Sequence, residues 1–185
     1  NDSVNWVDAD LFDDTSSQAA MNAIKPECLI HLAWYTEHGL FWDSPENFSW
    51  CKATANLLRA FANVGGRRVL IGGSCAEYDW SYGVCYEDRT PAHPSTIYGG
   101  CKNLLRRYTE DFCESNDIEL IWARIFFPYG PGESESKLIP SVLLSALRGE
   151  TVNCSHGMLF RDFIHVSDVA LAITHLVGNK NSCGI

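Results

Sequence analysis

No stretch of the sequence is apolar for long enough to cross a bilayer, and the opening Asn1-Asp2-Ser3-Val4-Asn5-Trp6 is neither basic nor hydrophobic as a secretory signal would be. Positive charge is scarce. Lysine and arginine total 14 against 23 aspartates and glutamates, a formal net charge of -9. That field repels phosphate backbones, so a nucleic-acid partner is not expected. Metal-ligand spacings are missing too: the eight cysteines, at positions 28, 51, 75, 85, 101, 113, 154 and 183, form no C-x-x-C pair and no Cys/His cluster. Scattered thiols in a chain of 185 residues read as reduced core residues, which implies a cytoplasmic location and no metal site. Repeats and low-complexity tracts are absent. With 46% hydrophobic and 20% charged residues the chain is neither disordered nor a coiled coil, and it is long enough for one core.

What is present is an alternation of strand-like and helix-like stretches. Helices are expected over 15–24, 46–63, 96–115, 138–148 and 167–177, and strands over 28–33, 67–71, 118–124 and 151–154. Ser44 followed by Pro45 is a start signal for the second helix, and Gly65-Gly66 stops it. The run 28–33 is apolar enough to be buried on both faces. Strand–helix alternation of this kind predicts an α/β fold built on an open, parallel, doubly wound sheet.

One absence bears on that fold. A doubly wound nucleotide-binding sheet opens with an apolar strand and a Gly-rich phosphate turn. The first residues contain neither, and Ser182-Cys183-Gly184-Ile185 forms no closing element. The expectation is therefore an internal piece of a longer protein, one that binds a dinucleotide poorly by itself.

The sharpest chemical feature is Tyr98-Gly99-Gly100-Cys101-Lys102. On a helix, positions i and i+4 share a face, so phenol and ammonium approach one another. A positive charge about 4 Å away, at an effective dielectric near 20, lowers a phenol pKa by about three units, toward neutrality. Chance alone gives about 0.2 such pairs from seven tyrosines and five lysines. Ser74 follows an apolar strand, where parallel sheets place their ligand crevice, and its hydroxyl can share a substrate oxygen with Tyr98. A turn or helix-cap serine is the plainer reading of the same residue. Within 34–50, Trp34, Tyr35, Phe41, Trp42, Phe48 and Trp50 form an aromatic loop that either stacks on a sugar or base, or packs against the domain.

Ser74, followed 24 residues later by Tyr98-x-x-x-Lys102, resembles the extended short-chain dehydrogenase/reductases, in particular their nucleotide-sugar epimerase/dehydratase/reductase group. Asp8-Ala9-Asp10-Leu11 resembles the family's adenine-contacting segment, and His31-Leu32-Ala33-Trp34 its cofactor-facing H-x-A segment. Arg124-Ile125-Phe126-Phe127-Pro128-Tyr129-Gly130-Pro131 and Arg161-Asp162-Phe163-Ile164-His165-Val166-Ser167-Asp168 are similar to two further signatures. The resemblance implies a Rossmann-like dinucleotide domain over 1–125. From 126 to 185 it implies the start of a substrate lobe, interleaved with the last Rossmann elements. It implies NAD or NADP as cofactor, with Asp10, Leu11, Leu32, Ala33, Trp34, Tyr98, Lys102 and Phe126 lining it. Tyr98 is then the acid/base, Lys102 lowers its pKa and holds ribose, and Ser74 orients the substrate. Ser74, Phe127, Leu138 and Arg161 face a small-molecule nucleotide sugar, with Arg161 pairing its pyrophosphate. For Arg161 the plainer role is a salt bridge to Asp162 or Asp168; for Leu138 and Phe126 it is core packing. No membrane partner is implied, and a homodimer is one option.

Departures from the pattern narrow the reaction. Phe127 stands where many relatives carry an asparagine. Cys75 and Ala76 follow Ser74 where sugar 4,6-dehydratases place acidic residues, and Glu77 comes one position too late. Elimination of water needs an acid and a base beyond tyrosine. The resemblance therefore favours a 4-epimerase or 4-keto-reductase over a dehydratase. Gly72-Gly73-Ser74-Cys75-Ala76 also resembles a nucleophile elbow, with His165 and Asp162 as partners, but turn residues follow where a helix is needed. A non-catalytic binding fragment is the remaining alternative.

Overall fold

In a computed structural model of the chain, which describes residues 4–152, 154, 158, 160–179 and 181–184, the first helix, α1, spans Asp14–Ile24. It starts where the Asp13 carboxylate accepts from Thr15 N–H at 2.9 Å. It ends at Lys25, left-handed at φ 48°, just ahead of Pro26. Strand β1 (Cys28–His31) follows, and Leu32 and Ala33 leave it to begin the aromatic loop. Helix α2 (Glu46–Asn63) opens after the expected Ser44-Pro45 signal. Pro45 already has helical dihedrals, and the Ser44 hydroxyl accepts from Glu46 N–H at 3.2 Å.

Strand β2 (Arg68–Ser74) is buried along its whole length. It runs three residues past the expected end, because Gly72, Gly73 and Ser74 stay in the ladder opposite Ala123, Arg124 and Ile125. At Gly73 glycine is needed for close approach rather than for a turn: a Cβ there would lie 2.2 Å from the Trp122 indole nitrogen. Helix α3 (Ile97–Ser115) is capped by Thr96, whose hydroxyl accepts from Gly99 N–H at 3.0 Å. It leads into β3 (Glu119–Ile125).

The three strands form one parallel sheet in the order β1-β2-β3, each joined to the next through a helix. Beyond β3, Gly184 bridges in parallel to Ile121 and exchanges backbone hydrogen bonds with Leu120 and Trp122. The chain's last described residues thus extend the sheet, contrary to the expectation of no closing element.

Strand geometry sends alternate side chains of β2 to opposite faces. Val69 and Ile71 join Leu57, Leu58 and Phe61 of α2, Leu105 of α3 and Trp122 in the main core. Leu70 points the other way and meets Ile121 and Ile173, the latter from α5 (Val166–Gly178). Between these parts lie β4 (Pro128–Tyr129), α4 (Leu138–Arg148) and β5 (Ile164–His165). β4 and β5 pair as a second small parallel sheet. The strand expected at 151–154 is not formed: Thr151, Val152 and Cys154 pair with no neighbour, and Asn153 lies outside the described residues. Short runs without a cross-strand partner have little to hold them extended. No helix among the described residues is long and apolar enough to cross a membrane.

Candidate active site

Ser74, at the carboxyl end of β2, fills the cap role. Its hydroxyl accepts from Ala76 N–H at 3.2 Å, and the Glu77 carboxylate answers by accepting from Ser74 N–H at 2.8 Å. Glu77 is fully buried. It also accepts from the Trp122 indole at 3.0 Å and from Arg124 Nε at 2.9 Å, with Arg106 Nε 3.9 Å away. Burying a carboxylate is costly unless such partners surround it. This node was not anticipated from the sequence, although Ser74-x-x-Glu77 is the spacing of a capping box.

Tyr98 and Lys102 share one face of the first turns of α3, as expected, but their electrostatics differ from the expectation. The Lys102 ammonium donates to the Gly72 carbonyl at 2.7 Å and lies 3.8 Å from the centre of the Trp34 ring. The centre of the Tyr98 ring is 6.0 Å away. Burial raises the Tyr98 pKa above its ordinary value, while the hydrogen bond to Ser74 opposes the rise. The sequence-based expectation of a phenol near neutrality is thus corrected: the ammonium is aimed at a carbonyl and an indole face, and burial penalises the phenolate. Burial also lowers Lys102 to about 8, against the opposing pull of Glu77. His31, bonded through Nε2 to Thr54 Oγ1 at 2.9 Å, is lowered to about 4 by burial and then by the Lys102 charge.

The aromatic loop packs on this site. Tyr98 N–H donates to the Trp42 carbonyl at 2.9 Å, and the Phe41 and Trp42 rings stand edge-on to Tyr98 at 4.9 and 5.7 Å. Trp34 is buried and lies 6.4 Å from Tyr98. A ladder of rings, Phe12 to Trp50 at 4.9 Å and Trp50 to Trp34 at 6.1 Å, joins the Asp10-Leu11 segment to Tyr98. Asp10 Oδ1 accepts from Phe12 N–H at 2.8 Å, and Leu11 packs against the main core. Leu32 and Ala33 are exposed just past β1.

The residues expected to meet a substrate gather less tightly. Phe126 packs near Tyr78 and Trp80, and Phe127 near Trp80 and Phe163. The Arg161 guanidinium lies over Phe127 at 5.2 Å and over Trp80 at 5.7 Å. Among the described residues it bridges neither Asp162 nor Asp168, which corrects the plainer reading of that residue. Leu138 opens α4 half exposed, so it is not core either. A cavity of about 600 Å³ on the α5 side of the sheet is lined by Arg124, Phe126 and Asp162 and by neither Tyr98 nor Lys102. The hydrolase arrangement does not assemble. A three-residue 3₁₀ turn, Cys75–Glu77, follows Ser74 in place of a helix, and His165 Nδ1 bonds Ser167 at 2.6 Å. No group of three potential metal ligands occurs among the described residues.

The family model described as NAD dependent epimerase/dehydratase matches residues 1–184. The chain belongs to that family. Among curated relatives of this family member, the NAD(+) dTDP-6-deoxy-L-talose 4-dehydrogenase of Aggregatibacter actinomycetemcomitans is 25% identical over 158 residues, covering 84% of this chain and 57% of the relative. CDP-abequose synthase of Salmonella typhimurium is 33% identical over 70 residues, 37% of this chain and 23% of the relative. Solved structures agree in fold. UDP-N-acetylglucosamine 4-epimerase from Methanobrevibacter ruminantium M1 superposes with a TM-score of 0.83 at 24% identity, covering 96% of this chain and 58% of that one. UDP-glucose 4-epimerase of Thermus thermophilus, in complex with NAD, gives 0.77 at 21%, covering 92% and 59%. This family member spans a little over half the length of the dehydrogenase relative and of these two structures.

Proposed function

We propose that the full-length protein is an NAD-dependent enzyme acting on a nucleotide sugar, as a 4-epimerase or a 4-keto-reductase, with Tyr98 as its acid/base. The observation that carries this reading is the convergence of Tyr98, Ser74 and Lys102 at the carboxyl edge of a parallel sheet, where such sheets open their ligand crevice. NAD is favoured over NADP because the talose 4-dehydrogenase relative is named for NAD(+) and the Thermus structure holds NAD.

The residues present suit a dinucleotide. Lys102 spends one ammonium donor on Gly72 and has others for ribose hydroxyls. Leu32 and Ala33 offer exposed apolar surface just past β1; with Trp34 and Phe126 they would line the dinucleotide, and Asp10 and Leu11 would serve its adenine end. When bound, the dinucleotide supplies hydride acceptance and donation. Tyr98 keeps its proton on the phenol oxygen at neutral pH, since burial raises its pKa, and would give it to the C4 oxygen as hydride adds to a C4 carbonyl; in the reverse, oxidising direction the phenolate would take the C4 hydroxyl proton as hydride leaves C4. Ser74, close enough to oppose the rise in the phenol's pKa, would orient the same oxygen. Lys102 stays charged up to about pH 8.

Residues from 126 onward begin the substrate lobe in this reading. There Arg161, stacked on Phe127 and exposed, pairs the pyrophosphate beside Phe127 and Leu138. Glu77 has its oxygens taken by Ser74, Trp122 and Arg124, which supports epimerase or reductase chemistry over elimination. In the full-length protein, Tyr98→Phe is expected to lower turnover of a nucleotide sugar by at least about a hundredfold, read by mass spectrometry over a substrate panel. NADH affinity should stay within a few-fold of the parent. Turnover within a few-fold of the parent would overturn the assignment.

A further inference from the structure

Asn47 belongs to none of the segments that carry the family resemblance, yet both walls of the candidate site hang on it. It lies in the first turn of α2 and is fully buried. Its Oδ1 accepts from the Trp34 indole N–H at 2.8 Å, and its Nδ2 donates to the carbonyls of Phe41 at 2.7 Å and Ser44 at 2.9 Å. The amide can sit only one way round. Exchanging oxygen and nitrogen would set a donor against the indole N–H and an acceptor against two carbonyls.

Two consequences follow. Through Trp34, Asn47 fixes the ring face that the Lys102 ammonium occupies at 3.8 Å, leaving the Gly72 carbonyl as its hydrogen-bonded partner. Through the two carbonyls it folds the loop that brings Phe41 and Trp42 edge-on to Tyr98. Rotation of the indole would release the ammonium from one of its two contacts. Such a release costs orientation in a group that must meet a ligand in one geometry.

We propose that Asn47 is a positioning residue for dinucleotide binding, acting through the Trp34 indole on Lys102. This rests on Lys102 holding the cofactor ribose, as set out above. The test is calorimetric titration of the full-length protein and its variants with NADH, alongside thermal unfolding. Asn47→Ala is expected to weaken NADH binding about tenfold, the value of the one buried hydrogen bond to Trp34 through which it acts on Lys102. Trp34→Phe keeps a ring over Lys102 but removes the indole N–H, and is expected to weaken it by about the same factor. The double variant should then lose about tenfold rather than a hundredfold, because the step toward Lys102 that both changes remove is the same Asn47–Trp34 hydrogen bond. A residue that only stabilises the fold lowers the melting temperature without that coupling. Asn47→Ala within twofold of the parent, or losses that multiply to about a hundredfold in the double variant, would overturn the proposal. If Asn47→Ala does not fold, Trp34→Phe alone decides, and parent-like affinity there overturns it. Lys102→Met separates the two readings. Unchanged NADH affinity in that variant removes the ribose role itself, whereas a loss there beside parent-like Asn47→Ala overturns only the part given to Asn47.

Discussion

On one face of the three-stranded sheet Val69 and Ile71 meet helices α1 to α3 in a core that includes Phe61 and Trp122. On the other, Leu70 and Ile121 meet α5 in a cluster with one further buried member, Ile173. The larger side also carries the candidate site's buried polar groups. His31, Asn47, Thr54 and Lys102 are buried there, each held by a hydrogen bond, so the candidate site is set inside the packing rather than laid over it. Disturbing that core disturbs the site. On the α5 side, packing and chemistry are separable.

The sharpest way to break this comparison is to delete matched apolar groups. Phe61→Ala, at a fully buried ring, is expected to cost about 3–5 kcal/mol, and Ile173→Ala on the smaller face about 2 kcal/mol, read by chemical denaturation. Equal losses would show that the two faces are equally tight. Acid tests the polar content of the larger face. His31 has a folded pKa of about 4 against an unfolded value of 6.5, lowered by burial and then by Lys102. Below pH 6.5 the unfolded chain binds a proton that the folded one refuses. The stability His31 contributes is therefore present above pH 6.5 and lost as pH falls to about 4, by about 3 kcal/mol in all. The difference between the parent and His31→Gln across that window measures it, and parallel pH profiles would remove the effect. The smallest change is expected at α4, where Leu147 is 83% exposed: Leu147→Ser should stay within about 0.5 kcal/mol. A larger loss would show that α4 is packed more firmly than its exposure implies.

The same contrast explains what was legible beforehand. Helices and strands of the α/β alternation could be read because capping residues and hydrophobic period are local: Ser44-Pro45 and the Gly65-Gly66 stop both sit within a few residues of the ends of α2. The end of β2 was misplaced because Gly72-Gly73 has the chemistry of a turn. The true demand at Gly73 is an indole from β3, far along the chain. In the site, the i, i+4 spacing put Tyr98 and Lys102 on one face correctly. The direction of the ammonium was illegible, since it depends on Trp34, 68 positions away, and on Gly72 across the sheet. The roles of Asn47 and of the buried Glu77 escaped notice for the same reason: a buried amide and a buried carboxylate declare themselves chiefly through partners up to 13 and up to 47 residues distant.

Arg68 gives the molecule a built-in order of assembly. Its guanidinium pairs with Glu119 and collects the carbonyls of Leu176, Asn179 and Ser182, the last across 114 residues. Closing a loop of that length costs about 4 kcal/mol in chain entropy. Contacts of such high sequence separation are also the slow ones in folding. On the ribosome, β1, β2 and α2 can pair and collapse while the tail of α5 is still unmade. The foot of β2 then carries a cation whose carbonyl acceptors are made more than a hundred residues later. Docking of α5 is in this sense a later event than the pairing of β1 with β2, because Ser182 is made 114 residues after Arg68.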